Sequence, residues 1–402
     1  LSSEELSVGS LLTIRGENFG ALRRSSRVLF TSFSGDECAG CAQRMFYGRW
    51  SESTIEVHVP DGIADGELRV WTPDGMSNAV SYRVVYSAGR VETSGRIEIG
   101  LRYDTTVENV VLSEAAEGTP AGERSVVLRV PQPPRSSLQP RVQFLHESTT
   151  DYTFEGVSSG FSRSILRTVL VERLGVRTRV LAPNVPVDYE QNTPFFAYYT
   201  RDLPGLNVSA EPVMQAAASI PRRGRSPFAV ARDAYDLTRA RLTPVLGEAR
   251  TASEALESGF ADHTGYASTM AGVLRAADIP ARVVTGVLVT PDRRSYAHAW
   301  VEFFVTAIGW MPADPFLGDG AFLSLVSGTE DPGLFYFGNL DAMRVAFTRG
   351  LDTYDPRVLT GLDLEPTQAF SQQMLYARTG AAVEGARLAL PVPRAIGILP
   401  LD

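Results

Sequence analysis

The chain has 402 residues, an apolar fraction of 44%, a charged fraction of 21% and a formal net charge of −8. That length supports two or three domains, each with its own core, and the composition is that of a folded globular protein rather than a disordered one. The acidic balance argues against nucleic acid as a partner, and no uncharged apolar run is long enough to cross a membrane. All 38 basic residues are arginine. Codon bias in a GC-rich genome accounts for this in one way; a surface without amines, which cannot accept an acyl group, accounts for it in another. Composition does not separate the two. The chain opens on Leu1 rather than Met, which fits a processed product whose export signal has gone.

Residues 1–86 read as short strands separated by Gly, Asn and Asp turns, the pattern of an all-β sandwich. Leu11–Gly16 leads into Glu17-Asn18-Phe19-Gly20; Trp50 precedes the alternating stretch Thr54–Pro60; Gly66–Trp71 is followed by Thr72-Pro73-Asp74-Gly75-Met76-Ser77-Asn78. These segments resemble the IPT/TIG immunoglobulin-like domain, which implies an extracellular spacer or binding module. His58 alternates between Val57 and Val59, the placing of a strand-face residue rather than a ligand. Cys38 and Cys41, the only two cysteines, stand as Cys-x-x-Cys in a polar loop. Without a second pair or a nearby His, zinc is disfavoured, and a small-loop disulfide in an oxidising compartment is expected.

A second β-rich domain is expected over 87–204. Its strand candidates are Arg96–Tyr103, Ser125–Pro131, Arg141–Leu145 and Leu166–Glu172, with a break at Pro131-Gln132-Pro133-Pro134. From about residue 205 the apolar period becomes helical, opening a third unit over 205–350. Ser226-Pro227 is an N-cap followed by a proline at the first helical position. A further helix begins near Asp262 and places Tyr266, Met270, Val273, Leu274 and Ala277 on one stripe; Asp278, just after it, tolerates a left-handed backbone at modest cost. Strands follow at Arg282–Val289 and Ala297–Val305, and a turn at Ile308-Gly309 leads to a short strand ending near Asp314. Asp292-Arg293-Arg294 reads as a solvated hairpin tip. The C-terminal extension, 351–402, is poor in motifs, and Met374–Leu388 reads as a terminal helix weakened by Gly380 and Gly385.

The order Asp262-His263-Thr264-Gly265-Tyr266-Ala267, then Ile279-Pro280-Ala281-Arg282, then His298-Ala299-Trp300-Val301-Glu302, then Gly309–Pro315 resembles the transglutaminase-like superfamily. That resemblance implies a papain-like α+β core, in which a Cys at a helix start attacks an amide, a His activates it and an Asp orients the His. His298 and Asp314 fall on the His and Asp positions. His263 falls on the Cys position. A helix N-terminus stabilises a thiolate, and the same end disfavours an imidazolium, so His263 is expected to be neutral.

Three readings follow. In the first, the degenerate triad His263, His298 and Asp314 performs no acyl transfer, and the protein is a binding or scaffolding module at the cell envelope, exported to the periplasm or cell surface. Envelope protein, polysaccharide or peptidoglycan are its candidate partners, the old cleft is the binding site, and no cofactor is needed. In the second, His263 and His298 bind a divalent metal such as Zn²⁺ or Fe²⁺ with Asp262 or Glu302 as a third ligand. In the third, Thr264 or Ser268 replaces the cysteine as nucleophile, although Thr264 also suits an early-turn capping role. Trp300, Trp310 and Tyr266 are expected to be packing residues, and Glu302 an ion-pair partner of Arg282.

Overall fold

The computed structural model describes residues 1–32, 42, 46–114, 118–146, 148–320, 331–349, 376–380 and 382–401. Cys38 and Cys41 lie outside the described residues. The first ninety residues form two facing sheets. One runs in the order Glu5–Leu6, Val80–Val84, Gly66–Thr72, Arg27–Leu29, with the Gly75–Met76 hairpin on Gly66–Thr72. The other runs Leu11–Arg15, Thr54–His58, Tyr47–Trp50. Alternation along Leu11–Arg15 sends Leu12 and Ile14 inward, where they meet Val28, Ile55, Val57 and Leu68. Period-two burial of this kind is what fixes register between sheets. His58 is a packing residue of its strand, with Nδ1 against Gly9 O at 3.0 Å.

Two long strands, Gly89–Leu112 and Arg163–Val180, pair antiparallel along their length with one bulge at Leu174/Gly175. The expected segments Arg96–Tyr103 and Leu166–Glu172 are the middles of these strands. Val142–Phe144, Val383–Ala389 and Arg394–Pro400 complete a five-stranded sheet, and Asp151–Phe154, Val126–Arg129 and Tyr376–Thr379 form a smaller one. Over the described residues the expected C-terminal helix is not formed: Tyr376–Thr379 and Val383–Ala389 are strands instead, while Met374, Leu375 and Ala381 lie outside the described residues. Gly380 sits where an added Cβ would lie 2.2 Å from Glu123 O. Val383, Ala386 and Leu388 turn inward toward Ile99, Leu101 and Val107. Tertiary pairing with the long strand overrides a weak helical period.

The third unit is a four-stranded sheet in the order Gly309–Ala313, Ser295–Val305, Ala281–Val289, Arg344–Arg349, all antiparallel. Against it packs the helix His263–Ala276, through Ala267, Met270, Ala271, Val273 and Leu274 onto Ala281, Val283, Ala299, Val301 and Phe303. The sequence predicted one buried stripe, yet every residue from His263 to Arg275 is buried. The helices Glu211–Ala218, Pro227–Arg241 and Ala252–Ser258 cover the other faces. Small residues permit that enclosure: an added Cβ at Gly272 would lie 2.4 Å from Leu206 O. Among the described residues no helix is long and apolar enough to cross a membrane.

Local signals set the helix ends. Ser226 accepts from Ala229 N–H with Pro227 at the first helical position, and Thr251 closes a capping box with Glu254. After Ala276, Ile279 N–H bonds to Leu274 O and Asp278 N–H to Arg275 O, with Asp278 at φ 62°. This is the Schellman pattern, which favours glycine at the left-handed position. The Asp278 side chain pairs with Arg222 at 3.3 Å, both exposed, a pair worth little. Asp278→Gly should therefore raise the free energy of unfolding by about 0.5–1 kcal/mol in chemical denaturation; a less stable variant would mean that the Arg222 contact outweighs the backbone strain.

Candidate functional site

Asp262 caps the buried helix. Its Oδ1 accepts from Thr264 N–H at 2.8 Å and Gly265 N–H at 3.3 Å, so His263 becomes the first helical residue. The adjacent strand brings His298 to the same place, its ring centroid 5.4 Å from that of His263. The short strand then ends at Asp314, whose Oδ2 accepts from His298 Nε2 at 2.6 Å while its Oδ1 caps the next turn by accepting from Leu317 N–H. Phe316 stands edge-on to His263, and Trp300 stacks on His298 at 6.2 Å. The structure thus brings His263, His298 and Asp314 into one cluster, in the order imidazole, imidazole, carboxylate.

A fourth residue belongs to this cluster, and the sequence reading missed it. Arg344 is fully buried and donates to Asp314 Oδ2 at 2.9 Å and to Asp341 Oδ2 at 2.8 Å. It reaches the site because Gly286, opposite His298 in the sheet, has no side chain: a Cβ there would lie 1.9 Å from Val345 O. Nothing local in the sequence marks Arg344, which is thirty residues beyond Asp314 and outside any motif. A glycine inside the apolar run Val283–Val289 was the one available sign of close backbone approach.

The electrostatics favour a neutral His263. Burial, with the neighbouring His298 adding to it, pushes its pKa from 6.5 down to about 3, against a smaller opposing pull from Asp314. The neutral state was expected from the helix end; burial is the larger cause. Burial alone would raise the Asp314 carboxyl, but His298 and Arg344 hold it at about 2, so it is ionised. The His263 ring meets the Thr264 hydroxyl at 3.2 Å through Nδ1. Thr264 was expected to act as a cap; Asp262 caps instead, and the Thr264 hydroxyl faces His263 rather than His298.

The proposed metal ligands do not converge. Among the described residues no group of three His, Cys, Asp or Glu side chains is arranged to hold a metal ion. Asp314 is turned to His298 and Arg344. Glu302 is held by Arg282 at 2.6 Å and Arg349 at 3.1 Å, giving the expected ion pair a second arginine. Asp262 Oδ2 is buried without a hydrogen-bond partner among the described residues, and burial raises the carboxyl's pKa. Ser268 is buried within the helix. Tyr266 packs on Phe316 and donates to Leu242 O; Trp310 stacks with Arg282 at 3.9 Å. Asp292 and Arg294 pair at an exposed tip with Arg293 at φ 64°.

Exposure matters for chemistry. His263 is 7% exposed, His298 2% and Asp314 0%, so the old cleft offers almost no surface to a macromolecule. The neutral imidazole of His263 is a weak nucleophile toward an amide.

Residues 215–315 match the model of the Transglutaminase-like superfamily, a range containing His263, His298 and Asp314. A 67-residue stretch is 46% identical to a protein-glutamine gamma-glutamyltransferase of Pseudomonas aeruginosa, covering 14% of this chain and 10% of that protein. The match thus spans about a tenth of that relative's length. Among solved structures, a candidate cysteine protease of Cytophaga hutchinsonii is 12% identical with a TM-score of 0.47, covering 78% of this chain and 93% of its own. The periplasmic domain of TgpA from Pseudomonas aeruginosa is 18% identical with a TM-score of 0.29, covering 81% and 92%.

Two predictions follow from the cluster. Below pH 6.5 the unfolded chain takes up a proton at His263 that the folded chain refuses until about pH 3. Stability should therefore fall as pH drops through that window, by up to about 1.4 kcal/mol per pH unit from this group, and His263→Gln should flatten that part of a denaturation profile. The Asp314 contribution is lost only lower, as pH falls from 3.8 through about 2. Arg344→Met, which removes the buried cation shared by Asp314 and Asp341, should cost about 3–5 kcal/mol of stability in chemical denaturation.

Proposed function

We propose, from the premise that residues 215–315 form a transglutaminase-like core, that this protein is a catalytically degenerate member of that architecture, exported and acting as a binding or scaffolding module at the cell envelope. The observation that carries this reading is His263: a neutral, buried imidazole at the helix position where the family resemblance calls for a cysteine. An acyl-imidazole hydrolyses readily but forms slowly from an amide, so the exchange removes covalent amide chemistry while leaving the fold intact. The His298–Asp314–Arg344 arrangement then serves as a buried polar tie between sheet strands. The immunoglobulin-like sandwich ahead of the core suits recognition of envelope protein, polysaccharide or peptidoglycan. The first two of these features rest on geometry; the location and the partner rest on the domain combination.

The contact between Thr264 and the His263 ring favours one second reading, in which the Thr264 hydroxyl is the nucleophile and His263, rather than His298, its base. The hydroxyl would attack an ester carbonyl while His263 Nδ1 takes its proton and returns it to the departing alkoxide, releasing the alcohol; water would then hydrolyse the threonyl ester to free the acid and restore the hydroxyl. Burial of both residues weighs against it.

A paired assay tests the proposal. With a glutamine-donor peptide and a fluorescent amine, the native protein should give no transamidation above background, whereas His263→Cys should gain measurable turnover if His298 and Asp314 are aligned for it. Native turnover that disappears in Thr264→Ala would favour the hydroxyl reading, and stoichiometric metal lost in His263→Ala would overturn the scaffold reading.

A further inference from the structure

A cavity of about 990 Å³ opens where the first sandwich, the long two-stranded ladder and the core sheet meet. Its floor includes Glu302, Arg349 and Trp310 of the core. Glu302 follows His298 by four residues on the same strand face, so the floor lies about 13 Å from the imidazole pair at ~3.3 Å per residue. The volume is at the upper end of the roughly 300–1,000 Å³ usual for ligand pockets. It is a cavity separate from the closed cleft.

The polar groups of the lining have unspent capacity of a definite kind. Glu302 is saturated, with Oε2 on Arg282 and Oε1 on Arg349. Arg349 keeps a buried Nε–H with no hydrogen-bond partner among the described residues. On the wall, Glu92 is shared between Arg90 at 2.7 Å and Arg179 at 3.0 Å, so two exposed arginine side chains divide one carboxylate. Arg141 is exposed at the rim and bonds to the neutral amide of Gln143. Asp61 lines the floor close enough for the Arg349 charge to act on its carboxyl. Val8, Ile63 and Leu174 supply apolar wall between these groups. Guanidinium in excess at the rim selects carboxylates. A donor and an acceptor on the same cavity lining, at Arg349 and Asp61, suit the alternating C=O and N–H of a peptide backbone better than the hydroxyls of a sugar polymer.

We propose that this cavity binds a short acidic peptide segment, its carboxylates held by Arg90 and Arg141 and its backbone by Arg349 Nε–H and Asp61. The inference holds whether or not position 263 performs chemistry, because no group of the His263 cluster lines the cavity.

Calorimetric titration of the full chain with the blocked tetrapeptide acetyl-Glu-Ala-Glu-Ala-amide tests it, with the Gln-for-Glu peptide and an oligogalacturonate as comparators. Saturable binding of the Glu peptide is expected, weaker by about tenfold or more for the Gln peptide and in a variant carrying Arg90→Ala and Arg141→Ala. Arg179 still pairs with Glu92 in that variant, so its thermal midpoint should match the native protein. No binding of the Glu peptide, equal binding by the folded double variant, or tighter binding of the oligogalacturonate would each overturn the proposal.

Discussion

One buried carboxylate organises the centre of this molecule. Asp314 Oδ2 takes hydrogen bonds from His298 on one strand and Arg344 on another, while Oδ1 caps the turn that carries Phe316 against His263. Each contact alone would be ordinary. Together they join three segments of the sheet region to the N-terminus of a helix that is enclosed on every side. An ionised carboxylate at 0% exposure is costly unless it is paired and hydrogen-bonded, and here every partner is itself fixed by backbone geometry: His298 by its register opposite Gly286, Arg344 by the close approach that Gly286 permits.

That frame explains why an imidazole at position 263 sits in an ordered site. The helix N-terminus offers unsatisfied N–H groups and a positive field, which suit a thiolate and disfavour an imidazolium. Burial disfavours the imidazolium further, so His263 is accommodated as a neutral, flat, partly apolar ring between Phe316, His298 and the Thr264 hydroxyl. The same features that would activate a sulfur keep an imidazole uncharged. The fold therefore accommodates a neutral imidazole at the start of this helix.

Much of this was legible in the sequence wherever a local rule carried the information. Ser226-Pro227, the Asp262 start, the left-handed Asp278 and the strand bearing His298 all follow from capping, backbone and periodicity signals that act within a few residues. The sandwich of residues 1–86 was readable for the same reason, since its strands alternate and its turns are marked. Arg344 was not legible, because its partner is thirty residues away and its access depends on a glycine in another strand. The C-terminal strands were mistaken for a helix because alanines and widely spaced apolar residues between Gly380 and Leu388 satisfy a helical period about as well as a strand period, and only the edge of the long strand Gly89–Leu112 decides between them. Enclosure of the cleft was equally invisible: burial of His263 and His298 arises from neighbours that no spacing within the motif encodes.

The most direct test of the account is the protonation state of the His263 ring. The chain has only four histidines, so their ring nitrogens can be resolved by NMR with nitrogen labelling, and His263 assigned through His263→Gln. Followed from about pH 8 to about pH 4, a range in which ordinary imidazoles titrate, His263 should remain a neutral tautomer throughout. An imidazolium at His263 forming with a midpoint near the ordinary value of 6.5 would contradict the account, because the ring would then be solvated rather than enclosed.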